Sequence, residues 1–165
     1  MDPYRQQQVG AYFALLEVGE LLKHLIEEQL RRDGNVSYVQ FRILAELLER
    51  GGSARMTDLA DLLVFSQAGL TYRASQLETA GLIVRRRAEK DQRTIEVTLT
   101  DQGSALMNAV LPGHVALVEQ QLFGHLTPSD VASLDDILTR VRDHLRTFPT
   151  RSSRPRNNKA RTERI

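Results

Sequence analysis

The chain has no cysteine, which removes disulfides, thiolate metal ligation and thiol redox sensing from consideration at once. No stretch approaches the roughly 18–20 consecutive apolar residues that a membrane span requires, so no membrane partner is expected. The opening residues MDPYRQQQVG lack a basic region followed by an apolar run, so no signal peptide is expected and the cytoplasm is the default location. No phosphate loop, zinc-helix motif, nucleophile elbow or cysteine nucleophile is present, and no catalytic residue or cofactor is assigned. His24, His114, His125 and His144 show no paired helical spacing, so no metal site is assigned and surface or interface histidines are expected instead.

What remains is a chain of 165 residues, 41% hydrophobic and 26% charged, the profile of one folded domain. Its net charge of +1 hides an asymmetry. Residues 1–150 carry 16 Lys and Arg against 20 Asp and Glu, whereas residues 151–165 carry 6 against 1. A slightly acidic body cannot hold a polyanion by bulk charge and must use local clustering. Arg85, Arg86, Arg87, Lys90 and Arg93 form the dense basic cluster of that body.

Apolar residues at three- and four-residue steps predict a long helix over residues 8–32, stopped by Asp33-Gly34-Asn35. Ser37 with Gln40 reads as a capping box, and Val36 with Phe41 as a hydrophobic staple, for a second helix ending at Gly51-Gly52. A third helix is expected to be capped by Thr57, with Asp58 and Asp61 in its first turn. Ser66 caps a fourth that closes at Gly81, with Leu77 and Leu82 placed for a Schellman motif. Two short helices so tightly joined signal a helix-turn-helix.

Strands follow over residues 82–88 and 94–99, joined by a polar connection. In the second, Ile95, Val97 and Leu99 alternate with polar residues and predict one buried face. A helix from Thr100-Asp101 to about Phe123 is expected to bend near Pro112-Gly113, and Thr127-Pro128-Ser129-Asp130 opens the last. Its apolar stripe is Val131, Leu134, Ile137, Leu138, Val141 and Leu145. From Pro149 the composition predicts disorder.

The fold class is therefore mainly α (α+β): a winged helix-turn-helix with a helical dimerisation region drawn from both chain ends. Residues 1–35 supply the N-terminal dimerisation helix, 36–100 the winged module, 101–148 the C-terminal dimerisation helices and 149–165 a basic tail. Amphipathic helices at both ends hold more apolar surface than one small module can cover, which argues for a two-fold homodimer.

A helix pair followed by a ribbon with cations at its tip fits double-stranded DNA, the second helix matching the major groove. With 100° per residue, Leu70, Ala74 and Leu77 share the core face of the fourth helix. Ala68, Tyr72, Ser75 and Gln76 lie opposite, Gln67 and Thr71 on one shoulder, Arg73 on the other, with Ser66 at the cap. This face suits phosphate and base-edge hydrogen bonding, with Gln able to pair with adenine and Arg with guanine. Consecutive Arg85, Arg86 and Arg87 alternate across the strand, so Arg86, or Arg85 with Arg87, can equally serve to solvate an edge. Lys90 and Arg93 at the tip are the candidates for phosphate or minor-groove contact, and Asp91 is expected to orient the Arg93 guanidinium.

The run DQRTIEVTLTDQG, with Asp91, Arg93, Leu99, Thr100 and Gly103 in step, resembles the wing signature Asp-x-Arg…Leu-Thr-x-x-Gly of the MarR family (multiple antibiotic resistance regulators). SQAGLTYRASQLETAGLI resembles that family's recognition helix with its closing Leu-Glu-x-x-Gly-Leu. The resemblance implies an obligate homodimer bound to a pseudo-palindromic operator, acting as a repressor and released by a small anionic or phenolic effector. It also implies a Thr-Arg reading pair. Thr71 matches the Thr, but Tyr72 stands at the Arg position and Arg73 follows, leaving Tyr72 to stack or to bond a phosphate. The competing reading is a winged-helix architectural or protein-interaction module that binds DNA without sequence preference, which the basic tail favours.

Overall fold

The computed structural model describes residues 2–88 and 91–148; Lys90 and the basic tail, both singled out above, lie outside the described residues. Helix α1 spans Pro3–Gly34 and starts five residues earlier than its apolar spacing indicates. Asp2 caps it by accepting from the Tyr4 N–H, and Pro3 occupies the first turn, where its missing donor costs nothing. Asn35, with φ +48°, ends it in the left-handed conformation. Helix α2, Tyr38–Glu49, carries the expected capping box: Ser37 Oγ accepts from the Gln40 N–H, and Gln40 Oε1 accepts from the Ser37 N–H. It stops at Gly51-Gly52, both with positive φ.

A short strand follows that periodicity does not reveal, β1 at Ser53–Arg55. Its presence moves the next helix: α3 is Met56–Leu62, with Arg55 at the N-cap and no side-chain cap. Thr57 lies inside the first turn, where its hydroxyl donates to Asp58, so the expected Thr57 cap is not formed and Asp61 falls in the last turn rather than the first. Helix α4, Gln67–Thr79, begins as expected, with Ser66 Oγ accepting from the Gly69 N–H. It closes in a Schellman motif, the Leu82 N–H reaching Leu77 O and the Gly81 N–H reaching Glu78 O, with φ +73° at Gly81. Between α3 and α4 the backbone at Val64 has φ +58°, a region that β-branched residues rarely enter.

Strands β2 (Ile83–Arg87) and β3 (Ile95–Leu99) complete an antiparallel sheet in the order β1-β3-β2. Ile83 pairs with Leu99, Arg85 with Val97 and Arg87 with Ile95, so these share one face. That face is buried at Ile83 and Val97 but not at the tip: Ile95 is 45% exposed, because the ribbon has by then run past the helices. Helix α5, Asp101–Gln121, contains Pro112, and α6, Pro128–Arg146, begins with a Thr127–Asp130 capping box. Among the described residues no helix is long and apolar enough to cross a membrane.

The core joins α1, α2, α3, α4, the sheet and α5, with Leu30, Ile43, Leu44, Leu47, Leu59, Leu70, Leu77, Ile83, Val97, Met107 and Val110 all buried. Only the end of α1 contributes to it: Ile26, Gln29 and Leu30 are buried, while Tyr4, Val9, Tyr12, Phe13 and Leu16 are exposed. Helix α6 buries no residue.

Two junctions fix the sheet on the helices. At the first, Thr100 Oγ1 donates to Gly81 O at 2.7 Å and accepts from the Gly103 N–H at 3.0 Å, while the Thr100 N–H donates to Leu82 O. One residue thus caps α5, receives the end of α4 and terminates the ribbon. Gly103 lies against the Leu82 carbonyl and within 2.8 Å of Leu99 Cδ1, measured from where a Cβ would stand. At the second, Arg85 donates through Nε and Nη2 to Glu78 Oε2, at 2.9 and 2.6 Å, and its backbone N–H donates to Glu78 Oε1 at 2.8 Å. The Arg85 guanidinium and then its N–H hold the Glu78 carboxyl below the usual glutamate range.

Both junctions are open to test. Gly103→Ala should lower stability by about 2–3 kcal/mol, since the new methyl meets backbone that cannot yield, and denaturant titration measures it. Because the folded-state pKa of Glu78 is depressed, its contribution is present above the unfolded value and fades as pH falls through the folded one. Glu78→Gln should therefore melt below wild type at pH 7, with the gap closing as pH drops below about 4.5. Thermal unfolding across that range checks the sign.

Candidate nucleic-acid interface

Helix α4 turns Leu70, Ala74 and Leu77 fully into the core and leaves the opposite face to solvent, as its periodicity requires. Gln67, Ala68, Thr71, Tyr72 and Gln76 are exposed, with Tyr72 at 64%; Ser66, Arg73 and Ser75 are half-buried. The exposed side chains are partly organised already. Gln76 Nε2 donates to the Tyr72 hydroxyl oxygen at 3.1 Å, so ring and amide stand together one turn apart. Thr71 Oγ1 donates to Gln67 O and Ser75 Oγ to Thr71 O, which ties both hydroxyl protons to the helix backbone. Arg73 is drawn aside: its guanidinium lies 5.1 Å from the centre of the Phe65 ring, and its Nε is buried without a hydrogen-bond partner.

The wing joins this face through Arg85. Besides Glu78, Arg85 Nη2 donates to Ser75 Oγ at 3.1 Å, so a strand residue engages two residues of α4. Solvation of an edge is therefore not the role of Arg85. Sequence reasoning misses it, although the signal is present: Arg85 is two residues from Ile83, so it points to the buried side, where Glu78 waits at the end of the preceding helix. Arg86 and Arg87 are exposed, as is Arg93.

Asp91 does not orient the Arg93 guanidinium. Its Oδ1 accepts from the Arg93 backbone N–H at 3.0 Å and its Oδ2 from Thr94 Oγ1 at 2.8 Å, while the Thr94 N–H donates to Asp91 O. The carboxylate shapes the turn rather than the cation, a side-chain–to–backbone closure typical of Asp in tight turns. The Arg93 N–H and the Thr94 hydroxyl, with the charge of Arg55 nearby, hold the Asp91 carboxyl below its ordinary range. An acid that would repel DNA phosphates is thus consumed internally, and Glu78 is neutralised in the same way by Arg85. Asp91 and Glu78 are thus both engaged within the module.

The comparisons with known proteins agree with this architecture. The MarR family profile matches residues 35–94, the span from the start of α2 into the wing. The chain is 33% identical to AbsC of Streptomyces coelicolor, a MarR family transcriptional regulator, covering 90% of this chain and 98% of AbsC with a TM-score of 0.82. Sco3205, a MarR family regulator of the same organism solved in complex with DNA, is 28% identical over 96% of each chain, with a TM-score of 0.80. Among curated relatives, the transcriptional regulator PecS of Dickeya dadantii is 33% identical over 108 residues, 64% of either protein. The repressor MdtR of Bacillus subtilis is 32% identical over 95 residues, 58% of this chain and 60% of MdtR, so both matches span slightly under two thirds of the relative's length. With the winged fold, the Leu-Thr-x-x-Gly junction and a full-length likeness to AbsC in hand, the chain belongs to the MarR family.

Proposed function

We propose that this protein is a sequence-specific transcriptional regulator that binds double-stranded DNA as a homodimer on a palindromic operator and acts as a repressor in the cytoplasm. The observation that carries the reading is the outward face of α4. It is exposed, free of unpaired acid, and fastened by Arg85 to a wing bearing Arg86 and Arg93. Gln67, Ala68, Thr71, Tyr72 and Gln76 enter the major groove, with Ser66, Arg73 and Ser75 supporting them from the flanks. Arg93, and Lys90 three residues before it in the sequence, meet the backbone or minor groove, and Arg86 the phosphates. Beside Thr71, which matches the family's Thr, Tyr72 bonded to Gln76 takes the place of the family's reading Arg. Gln76 keeps one amide proton and its carbonyl oxygen for a base edge, the pattern that suits adenine. The relative solved with DNA and the relative named as a repressor support the same assignment.

Dimerisation is supported by apolar surface that one protomer leaves open. Tyr12, Phe13, Leu16 and Leu21 of α1 face solvent, as does Ile137 of α6. Covering that surface with a second copy sets two recognition helices ~34 Å apart, one turn of B-DNA. Release by a small anionic or phenolic effector is supported by a groove of about 1010 Å³ beside the module. It is lined by Leu15, Val64, Phe123, Leu138 and Leu145, with Arg142 and Arg146 among its walls.

Selection of duplexes from a random pool should yield a palindrome bound far more tightly than its scrambled version. Equal affinity for both would instead establish the architectural reading. Arg93→Ala should weaken binding to every duplex and reduce the slope of log affinity against log salt by about 0.9 for each phosphate no longer neutralised. Gln76→Ala should cost about tenfold to a hundredfold on the selected palindrome and little on scrambled DNA. Light scattering should give twice the 18.7 kDa chain mass, and a monomer would overturn the two-fold arrangement.

A further inference from the structure

The outer face of the wing sheet carries a second basic residue, Arg55, beside the Arg86 already assigned to phosphates above. Arg55 of β1 pairs with Glu96 of β3, which in turn pairs with Arg86 of β2, so the three side chains form one row across the sheet. This is the face opposite buried Val97, and all three residues are exposed or nearly so. With Arg87, Asp91, Thr94 and Thr98 they line a shallow cleft.

Three observations set Arg55 apart from an ordinary solvated cation. It occupies the N-cap of α3, where the helix dipole disfavours positive charge, and its side chain caps nothing. Neither Arg55 nor Arg86 closes an ion pair with the Glu96 that stands between them, although a structural arginine in this module, Arg85, takes its carboxylate at 2.6 Å. The acid nearest the turn, Asp91, already accepts two hydrogen bonds. Arg55 thus works against local folding preference and closes no ion pair among the described residues, although its charge acts on the nearby Asp91 carboxyl, beside a wing whose tip is directed at DNA.

We propose that Arg55 and Arg86 form a clamp for backbone phosphates on the outer face of the wing. It grips the DNA flank beyond the base-read palindrome, with Glu96 between the two cations offsetting part of their charge. The clamp rests on the DNA-binding reading above. It adds affinity without sequence information, because phosphates look alike in every sequence. It also extends the footprint, since β1 lies on the far side of β3 from β2.

The test compares wild type, Arg55→Ala and Glu96→Gln on two duplexes, one trimmed to the selected palindrome and one with about ten flanking base pairs on each side, roughly one further helical turn. On the long duplex, Arg55→Ala should lower the slope of log affinity against log salt by about 0.9 per protomer bound, and Glu96→Gln should tighten binding. Base preference should stay as in wild type, and on the trimmed duplex Arg55→Ala should match wild type. Its melting temperature should equal or exceed that of wild type, since a cation has left a helix N-terminus, so weaker binding cannot be ascribed to misfolding. An unchanged slope for Arg55→Ala on the long duplex would overturn the clamp while leaving the regulator reading intact. Failure of wild type to bind any duplex would overturn that reading and the clamp with it.

Discussion

The candidate interface is divided between a helix, α4, and a ribbon, β2 and β3, that projects past the core, and the two keep one relation only if a strut joins them. Here that strut is the contact of Arg85 with Glu78 and Ser75. It is partly shielded, made through two guanidinium nitrogens and reinforced by a backbone donor, so it fixes distance and direction together. The same contact removes a carboxylate from the side of α4 that would face a polyanion. Position and charge are thus settled by one interaction.

Around that strut, the Thr100 junction explains why a short signature of Leu, Thr and Gly marks this module. Thr is needed because a single hydroxyl must donate to Gly81 O while accepting from the Gly103 N–H. Gly is needed because the Leu82 carbonyl lies where a side chain would begin. Leu99 ends the central strand and packs against the core. Requirements of hydrogen bonding and space, converging on one short segment, leave a pattern that can be read without coordinates.

What can be read from the chain divides along physical lines. Helix starts with a side-chain cap, at Ser37, Ser66, Thr100 and Thr127, are legible because the capping chemistry is local. A start at Thr57 is misleading because β1 pairs with β3, distant in the chain, a contact no local rule detects. Three residues are also too few to show a period. Alternation exaggerates the burial of Ile95 because it reports which side a residue faces, not how far the neighbouring helices reach. On the candidate interface, the exposed face of α4 follows from its 3.6-residue period, whereas the duties of Asp91 and Arg85 do not. Each has two chemically reasonable partners in the sequence, and only geometry selects between them.

Val64 leaves one further consequence. Its left-handed backbone joins α3 to α4, and its side chain, 57% exposed, forms part of the wall of the apolar groove beside α6. From the far side Arg146 donates to Leu62 O, two residues before it, and Ser66, the cap of α4, lies two residues after. The wall of that hollow and the turn that leads into α4 are therefore one and the same piece of backbone.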